Sequence, residues 1–292
     1  MLAGFRIVLA AVVYRLKNLE MLNMAAGISL AVALQLSPFP FTEFPLELVV
    51  RAGFMFVLNA LVYLNNDYLD VAIDLRSADK DAAKARYLAD NMRAALGAQL
   101  VLLAILVIAA LVFDPGLLVP LVAGGGSCWW YSAKLKHVPY LDIVVMIIWG
   151  LTMPLCGTPI TNILGLAMTL QLGLFSGVFE SIQVMRDADE DAEEGVRTTG
   201  VVLGKKRTLI LARVMMVLVT AYAALFMHLA VAAISAVALV VPFIESNIER
   251  YWTRIKLVYG VAWLALCLWV FLYGESAGLL MSIRPGVSSQ ID

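Results

Sequence analysis

Long apolar stretches interrupted by short polar ones dominate the chain. Nine of them, at about 21–38, 46–66, 94–113, 117–133, 141–158, 160–184, 208–226, 229–245 and 257–279, are each near the length of roughly 20 residues needed to cross a bilayer as a helix. Helix-breaking residues stand at several boundaries: Pro38 and Pro40, Pro115-Gly116, Gly157 with Pro159, and Pro242. Pro154 and Pro159 interrupt the 141–184 region, so its division into two spans has an alternative and the helix count is good to about one. The pattern predicts an all-α integral membrane protein, with residues 1–292 as a single membrane domain.

Composition agrees, at 62% hydrophobic and 15% charged against roughly half and a quarter in a soluble domain. The net charge of −1, with no basic stripe among aromatics, gives no footprint for a nucleic-acid partner. Charge sorts the loops. Arg76, Lys80, Lys84, Arg86 and Arg93 follow the second span. Lys134 and Lys136 follow the fourth, Arg186, Arg197, Lys205, Lys206 and Arg207 the sixth, and Arg250, Arg254 and Lys256 the eighth. The alternate connections hold little beyond Arg51 and Arg284. Short basic loops stay in the cytoplasm, so the N-terminus and these four loops are expected there and the C-terminus outside. Residues 1–20, with Arg6, Arg15 and Lys17 around a short apolar run and no small-residue cleavage site, read as an interfacial amphipathic segment rather than a signal peptide. Cys128, Cys156 and Cys267 lie in apolar stretches and read as small buried side chains.

Two acidic clusters about 120 residues apart carry the chemistry, and both fall on the expected cytoplasmic side, in polar segments 67–93 and 186–207. The first is Asn66-Asp67-Tyr68-Leu69-Asp70-Val71-Ala72-Ile73-Asp74; the second begins Asp187-Ala188-Asp189-Glu190-Asp191. Asn66, Asp70 and Asp74 step by four along a helix, Asp67 lies three from Asp70, and Asp187 and Asp191 are again four apart. Carboxylates beside hydrocarbon are costly and mark function by default. Their hard oxygens suit magnesium, which is commonly held by carboxylates together with substrate phosphates. A solvated helix end is the plainer reading of either cluster alone.

The residues carry a family resemblance. Asn66-Asp67-x-x-Asp70-x-x-x-Asp74 resembles the first aspartate-rich motif of the UbiA-type intramembrane prenyltransferases, and Asp187-x-x-x-Asp191-x-x-x-Gly195-x-x-Thr198 resembles their second, followed by Val201-Val202-Leu203-Gly204. Tyr131-Ser132 near Lys134 and Lys136 is similar too, and the resemblance runs from about residue 15 to 280. It implies nine transmembrane helices around a central cavity with a cytoplasmic cap, and transfer of an isoprenyl chain from its diphosphate to a membrane-embedded acceptor. It also implies magnesium held by Asn66, Asp70, Asp74, Asp187 and Asp191, with Asp67 as a ligand or just behind them. One departure is visible: the loop from Leu75 to Tyr87 lacks the Arg-Pro pair of many relatives, and a more helical loop is expected there.

Around this core, Lys136, Arg197, Lys134 and Lys80 are candidates for the diphosphate, since cations stabilise the charge that builds on the leaving group. Tyr131 is a candidate to face the allylic cation, and Asp142 and Glu180 to face the acceptor. Each has a plainer alternative, in topology signals, aromatic belts, helix dipoles or bundle hydrogen bonds. Gly124-Gly125-Gly126 reads as close packing or a kink rather than a phosphate loop. The expected activity is magnesium-dependent prenyl transfer to an aromatic, quinone-precursor-like acceptor at the face of a prokaryotic cytoplasmic membrane. Transfer to a lipid hydroxyl or an internal cyclisation is the alternative within the class, and an ion-coupled transporter the alternative outside it.

Overall fold

A computed structural model describes residues 2–17, 21–35, 46–75, 82–193 and 195–285. Among these the secondary structure is helical, with a lone backbone bridge between His228 and Ala277 in place of any strand. The helices are α1 (Leu2–Lys17), α2 (Leu22–Gln35), α3 (Leu46–Asp74), α4 (Ala82–Asp90), α5 (Met92–Phe113), α6 (Gly126–Ala133), α7 (Leu141–Leu155), α8 (Ile163–Arg186), α9 (Ala188–Glu193), α10 (Thr199–Tyr222), α11 (Leu229–Val240) and α12 (Ile248–Tyr273). Among the described residues five helical segments are long and apolar enough to cross a membrane: α3, α5, α8, α10 with its continuation to Met227, and α12 with the turn before it.

These segments are apolar all round, so burial alone does not explain their composition. On α5 the small or central residues Ala95, Leu106 and Ala110 face inward, while Leu100, Val101, Ile108 and Val112 stand more than half exposed. Large aliphatic side chains left outside over so many turns have lipid, not water, as their solvent. Inside, α8, α10, α11 and α12 share one apolar core, with the rings of Phe175 and Tyr259 stacked at 4.5 Å. A second core joins α3, α5 and α7 through Phe54, Met55, Leu106 and Met153. α7 and α8 approach closely: a Cβ on Gly150 would come within 2.2 Å of Ser176 Cβ, and the Ser176 hydroxyl donates to Met146 O at 2.6 Å. Small residues permit such contacts where no hydrophobic drive separates helix from lipid. Gly124 serves the same end, since a Cβ there would lie 2.5 Å from Thr152 Oγ1. All three cysteines are buried free thiols.

Several boundaries move from the expected ones. α3 continues past residue 66 to Asp74, so the first acidic cluster lies within the helix. Residues 82–90 of the expected loop form α4. α7 ends at Leu155, with Pro154 in its last turn, and α8 starts at Ile163, where the Asn162 side chain accepts from Gly165 N at 2.9 Å. α10 begins at Thr199, well before the expected 208, and breaks at Gly204, whose φ of 70° is open to glycine at little cost. α1 is docked: Ile7, Ala11, Val12 and Arg15 are buried, and it packs on α3, α4 and α5 while Phe5, Leu9 and Leu16 face out.

Charge is buried at the far end of α3 as well. Arg51, 2% exposed, donates to Glu47 at 2.8 Å, to Asp114 at 2.6 Å and to the Cys156 carbonyl at 3.1 Å. From sequence it is only a sparse cation near the start of the second span; in the fold it is a clamp joining the ends of α3, α5 and α7. Removing one partner of a buried ion pair strands the other. Arg51→Met is therefore expected to lower stability by about 3 kcal/mol in thermal unfolding of the purified protein. Glu47→Gln, at a carboxylate 42% exposed, is expected to cost less than about 1 kcal/mol. An Arg51→Met protein that melts with the wild type would remove the clamp.

Candidate active site

The last turns of α3 present Asn66 and Asp70 to α6 and the turn after it. Asn66 Nδ2 donates to Asp70 Oδ2 at 2.6 Å and to Ser132 Oγ at 3.3 Å. The Lys136 ammonium pairs with Asp70 Oδ1. One residue on, Asp67 faces elsewhere: Arg15 of α1 holds its Oδ1 at 2.8 Å and Lys84 of α4 its Oδ2 at 2.7 Å. Asp74 lines a small cavity with Asp67, Tyr14, Arg15 and Lys84. Asp67 thus faces α1 and α4, while Asn66 and Asp70 face α6 and the turn after it. Each residue turns a helix by about 100°, and that step sends Asp67 toward α1 while Asn66 faces α6.

The second motif starts where α8 ends. Asp187 caps α8 and its carboxylate takes a two-pronged hold from Arg186, at 2.6 and 3.0 Å. Arg186 also reaches Glu249 of α12 at 2.9 Å. Asp191 stays in helical register, with its N–H donating to Asp187 O at 2.9 Å. The chain then turns at Gly195, with φ at 75°, and Thr198 Oγ1 returns to Asp191 Oδ2 at 2.9 Å. α10 starts so close to α8 that a Cβ on Gly200 would sit 1.8 Å from Val184 O.

The loop between α6 and α7 stands between the two motifs. At its start Lys136 meets Asp70. At its end Tyr140 N donates to Thr199 Oγ1 at 2.5 Å, and fully buried Asp142 accepts from Thr199 N at 2.7 Å and from Thr199 Oγ1 at 2.5 Å. Tyr140 is held at a φ of 70°, costly for a bulky residue, at this junction. Asp142 thereby uses both oxygens to join α7 to α10. Thr199 and Ser132 complete these links, and no periodicity pointed to them. The ties bring Asp70, Lys136, Thr198 and Asp191 to the same end of the bundle.

Tyr131 and Glu180 meet below this mouth, the Tyr131 hydroxyl donating to Glu180 Oε1 at 3.2 Å, with Asp142 and Asp191 in electrostatic reach. Glu180 is 5% exposed among apolar neighbours. Lys134 and Arg197 are exposed and make no ion pair among the described residues. Lys80 lies outside the described residues. His137, beside Lys136, has its pKa pushed below the ordinary histidine value by desolvation and then by that neighbouring cation.

Among the described residues no three acid, histidine or cysteine side chains converge as a ready-made metal cage. The donors still suit magnesium: amide and carboxylate oxygens from Asn66, Asp70, Asp187 and Asp191, partly open to solvent. Magnesium is usually held by one or two carboxylates plus substrate phosphates, not by an all-protein cage.

No curated protein sequence matches the chain. Solved structures do, at low identity and over most of their length. A UbiA homologue from Archaeoglobus fulgidus bound to DMAPP and magnesium aligns with a TM-score of 0.58 and 16% identity, covering 85% of this chain and 84% of that one. The same homologue bound to GPP and magnesium gives 0.60, 14%, 86% and 96%. A digeranylgeranylglyceryl phosphate synthase structure gives 0.65, 18%, 91% and 99%. These likenesses establish the fold. The family model for UbiA prenyltransferases matches residues 22–256. With that match across most of the sequence and apolar helices of membrane-spanning length, the chain is an integral membrane protein belonging to the UbiA prenyltransferase family.

Proposed function

We propose that this chain transfers an isoprenyl group from an isoprenyl diphosphate to an apolar acceptor held in the bundle, with magnesium as cofactor. The observation that carries the reading is the linkage of the two motifs by the α6–α7 loop, through Asp70–Lys136 at one end and Asp142–Thr199 at the other. The magnesium- and diphosphate-bound family homologues support it. Nine spans around a central cavity, with the motif end facing the cytoplasm of a prokaryotic cell, complete the proposal; the basic loops support that orientation.

Asn66, Asp70, Asp187 and Asp191 would hold magnesium, with Asp74 at the edge of the set and Asp67 outside it. Magnesium supplies charge neutralisation at the diphosphate oxygens, which makes the diphosphate a competent leaving group. Lys136 lies on Asp70 and adds positive charge at the mouth; Arg197, Lys134 and Lys80 are further cations for the diphosphate. The carbon–oxygen bond of the substrate breaks with its electron pair leaving on diphosphate. The apolar bundle excludes water from the allylic cation, and the Tyr131 ring offers it a π face. An aromatic acceptor fits this best: its ring carbon forms the new bond and loses a proton, and Glu180, within hydrogen-bond reach of Tyr131, is the base placed to receive it. Attack by a lipid hydroxyl or an internal alkene uses the same ionisation. The transporter reading gains no support, since it calls for broken helices and ion ligands near mid-membrane, whereas the motif carboxylates stand at helix ends.

Purified protein given a radiolabelled prenyl diphosphate and magnesium is expected to release diphosphate, and EDTA to stop it. Asp70→Ala and Asp191→Ala are each expected to lower release by about a hundredfold or more. Release that persists in both variants refutes the metal assignment. For Asp142, the tie predicts that Asp142→Ala costs about 2 kcal/mol in thermal unfolding. Asp142→Asn, which keeps an acceptor and gains a donor, is expected to cost less. A melting temperature unmoved in both, with a raised KM for acceptor, would return Asp142 to acceptor binding.

A further inference from the structure

Asp67 turns away from Asn66 and Asp70, the first-motif residues at the centre of the proposed chemistry, toward α1 and α4. There Asp67, 3% exposed, is held between Arg15, 8% exposed, and Lys84. The cations come from two different helices, α1 and α4, on one side of α3. Aromatic rings seat them: Arg15 lies 4.8 Å from the Tyr63 ring, and Lys84 lies 4.5 Å from the Tyr14 ring. Tyr63 is one helical turn before Asp67. Arg15 is thus fixed by two groups of α3, a ring and a carboxylate, four residues apart.

We infer that Arg15, Lys84 and Asp67 form a brace that sets the rotation of α3, making Arg15 and Lys84 positioning residues for Asn66 and Asp70. What is positioned rests on the metal-site reading above; the brace itself does not. The geometry is restrictive. Asp67 adjoins Asn66 and is three residues from Asp70, so any rotation of α3 that frees Asp67 also swings Asn66 from Ser132 and Asp70 from Lys136. Three charges sunk beside hydrocarbon are a poor means of mere adhesion, because apolar side chains would pack α1 at least as well. Buried ion pairs are best attested as setting register, and register is what the opposite face of α3 requires. Arg15 also precedes residue 22, where the family match begins, so this half of the brace lies outside the matched region.

The test uses the purified full-length protein. Hydrogen exchange without added metal reads the brace directly. Arg15→Gln is expected to speed exchange in residues 64–74 by about tenfold, leaving 178–186 unchanged, with Arg15→Lys restoring much of the protection. Mn²⁺ binding, followed by electron paramagnetic resonance with inorganic pyrophosphate present, is expected to need about tenfold more metal in Arg15→Gln, as when groups behind metal ligands are removed. Lys84→Gln, at the less buried cation, gives the same readings if Arg15→Gln does not fold. Exchange in 64–74 unchanged, or raised equally throughout the chain, would overturn the brace; faster exchange in 64–74 with unaltered Mn²⁺ binding would overturn the positioning role. Failure of the wild type to release diphosphate would instead refute the proposed function, a result the exchange experiment does not share.

Discussion

A charge can stay beside hydrocarbon only if an opposite charge or several hydrogen bonds meet it there, and this structure is organised by that requirement. Arg51, Asp67 and Asp142 are each almost wholly buried, and each is answered from at least one other helix. Arg51 joins α3 to α5 and α7, Asp67 joins α3 to α1 and α4, and Asp142 joins α7 to α10. Apolar packing between lipid-bathed helices has little directional preference. These buried charges supply the direction that packing lacks.

The same requirement builds the mouth of the bundle. Asp70 and Asp187 carry their charge under partial solvent exposure with a cation on each. Lys136 and Arg186 thereby hold the carboxylates in place without closing the mouth. The short segment between α6 and α7 does the joining: Lys136 at one end faces the first motif, and Tyr140 and Asp142 at the other bind the start of α10, from which Thr198 reaches Asp191. The positive φ of Tyr140 marks the cost of turning the chain so sharply there. Two helix ends far apart in sequence are linked because a third element is tied to both.

Near these ties Tyr131 and Glu180 meet, with Asp142 and Asp191 in electrostatic reach. An ionisable side chain buried in a membrane-spanning helix marks function by default, and Glu180, 5% exposed on α8, is such a group.

The sequence by itself determined the membrane class, the helical stretches, the chemistry of the two acidic motifs and the family they resemble. Each of these is written in local spacing or in composition averaged over a span. The resemblance was legible because Asn66, Asp70, Asp187 and Asp191 keep helical register within their own segments. The fold decides which partner each acid meets. Asp67 reads like its neighbours, yet its cations come from α1 and α4, and nothing local in the sequence shows that Thr199 bonds both oxygens of Asp142. Arg51 reads as a sparse charge near the start of a span until Asp114 and the Cys156 carbonyl meet it. A side chain's partner depends on the rotation and contact of helices dozens of residues apart in sequence, and no local pattern encodes that.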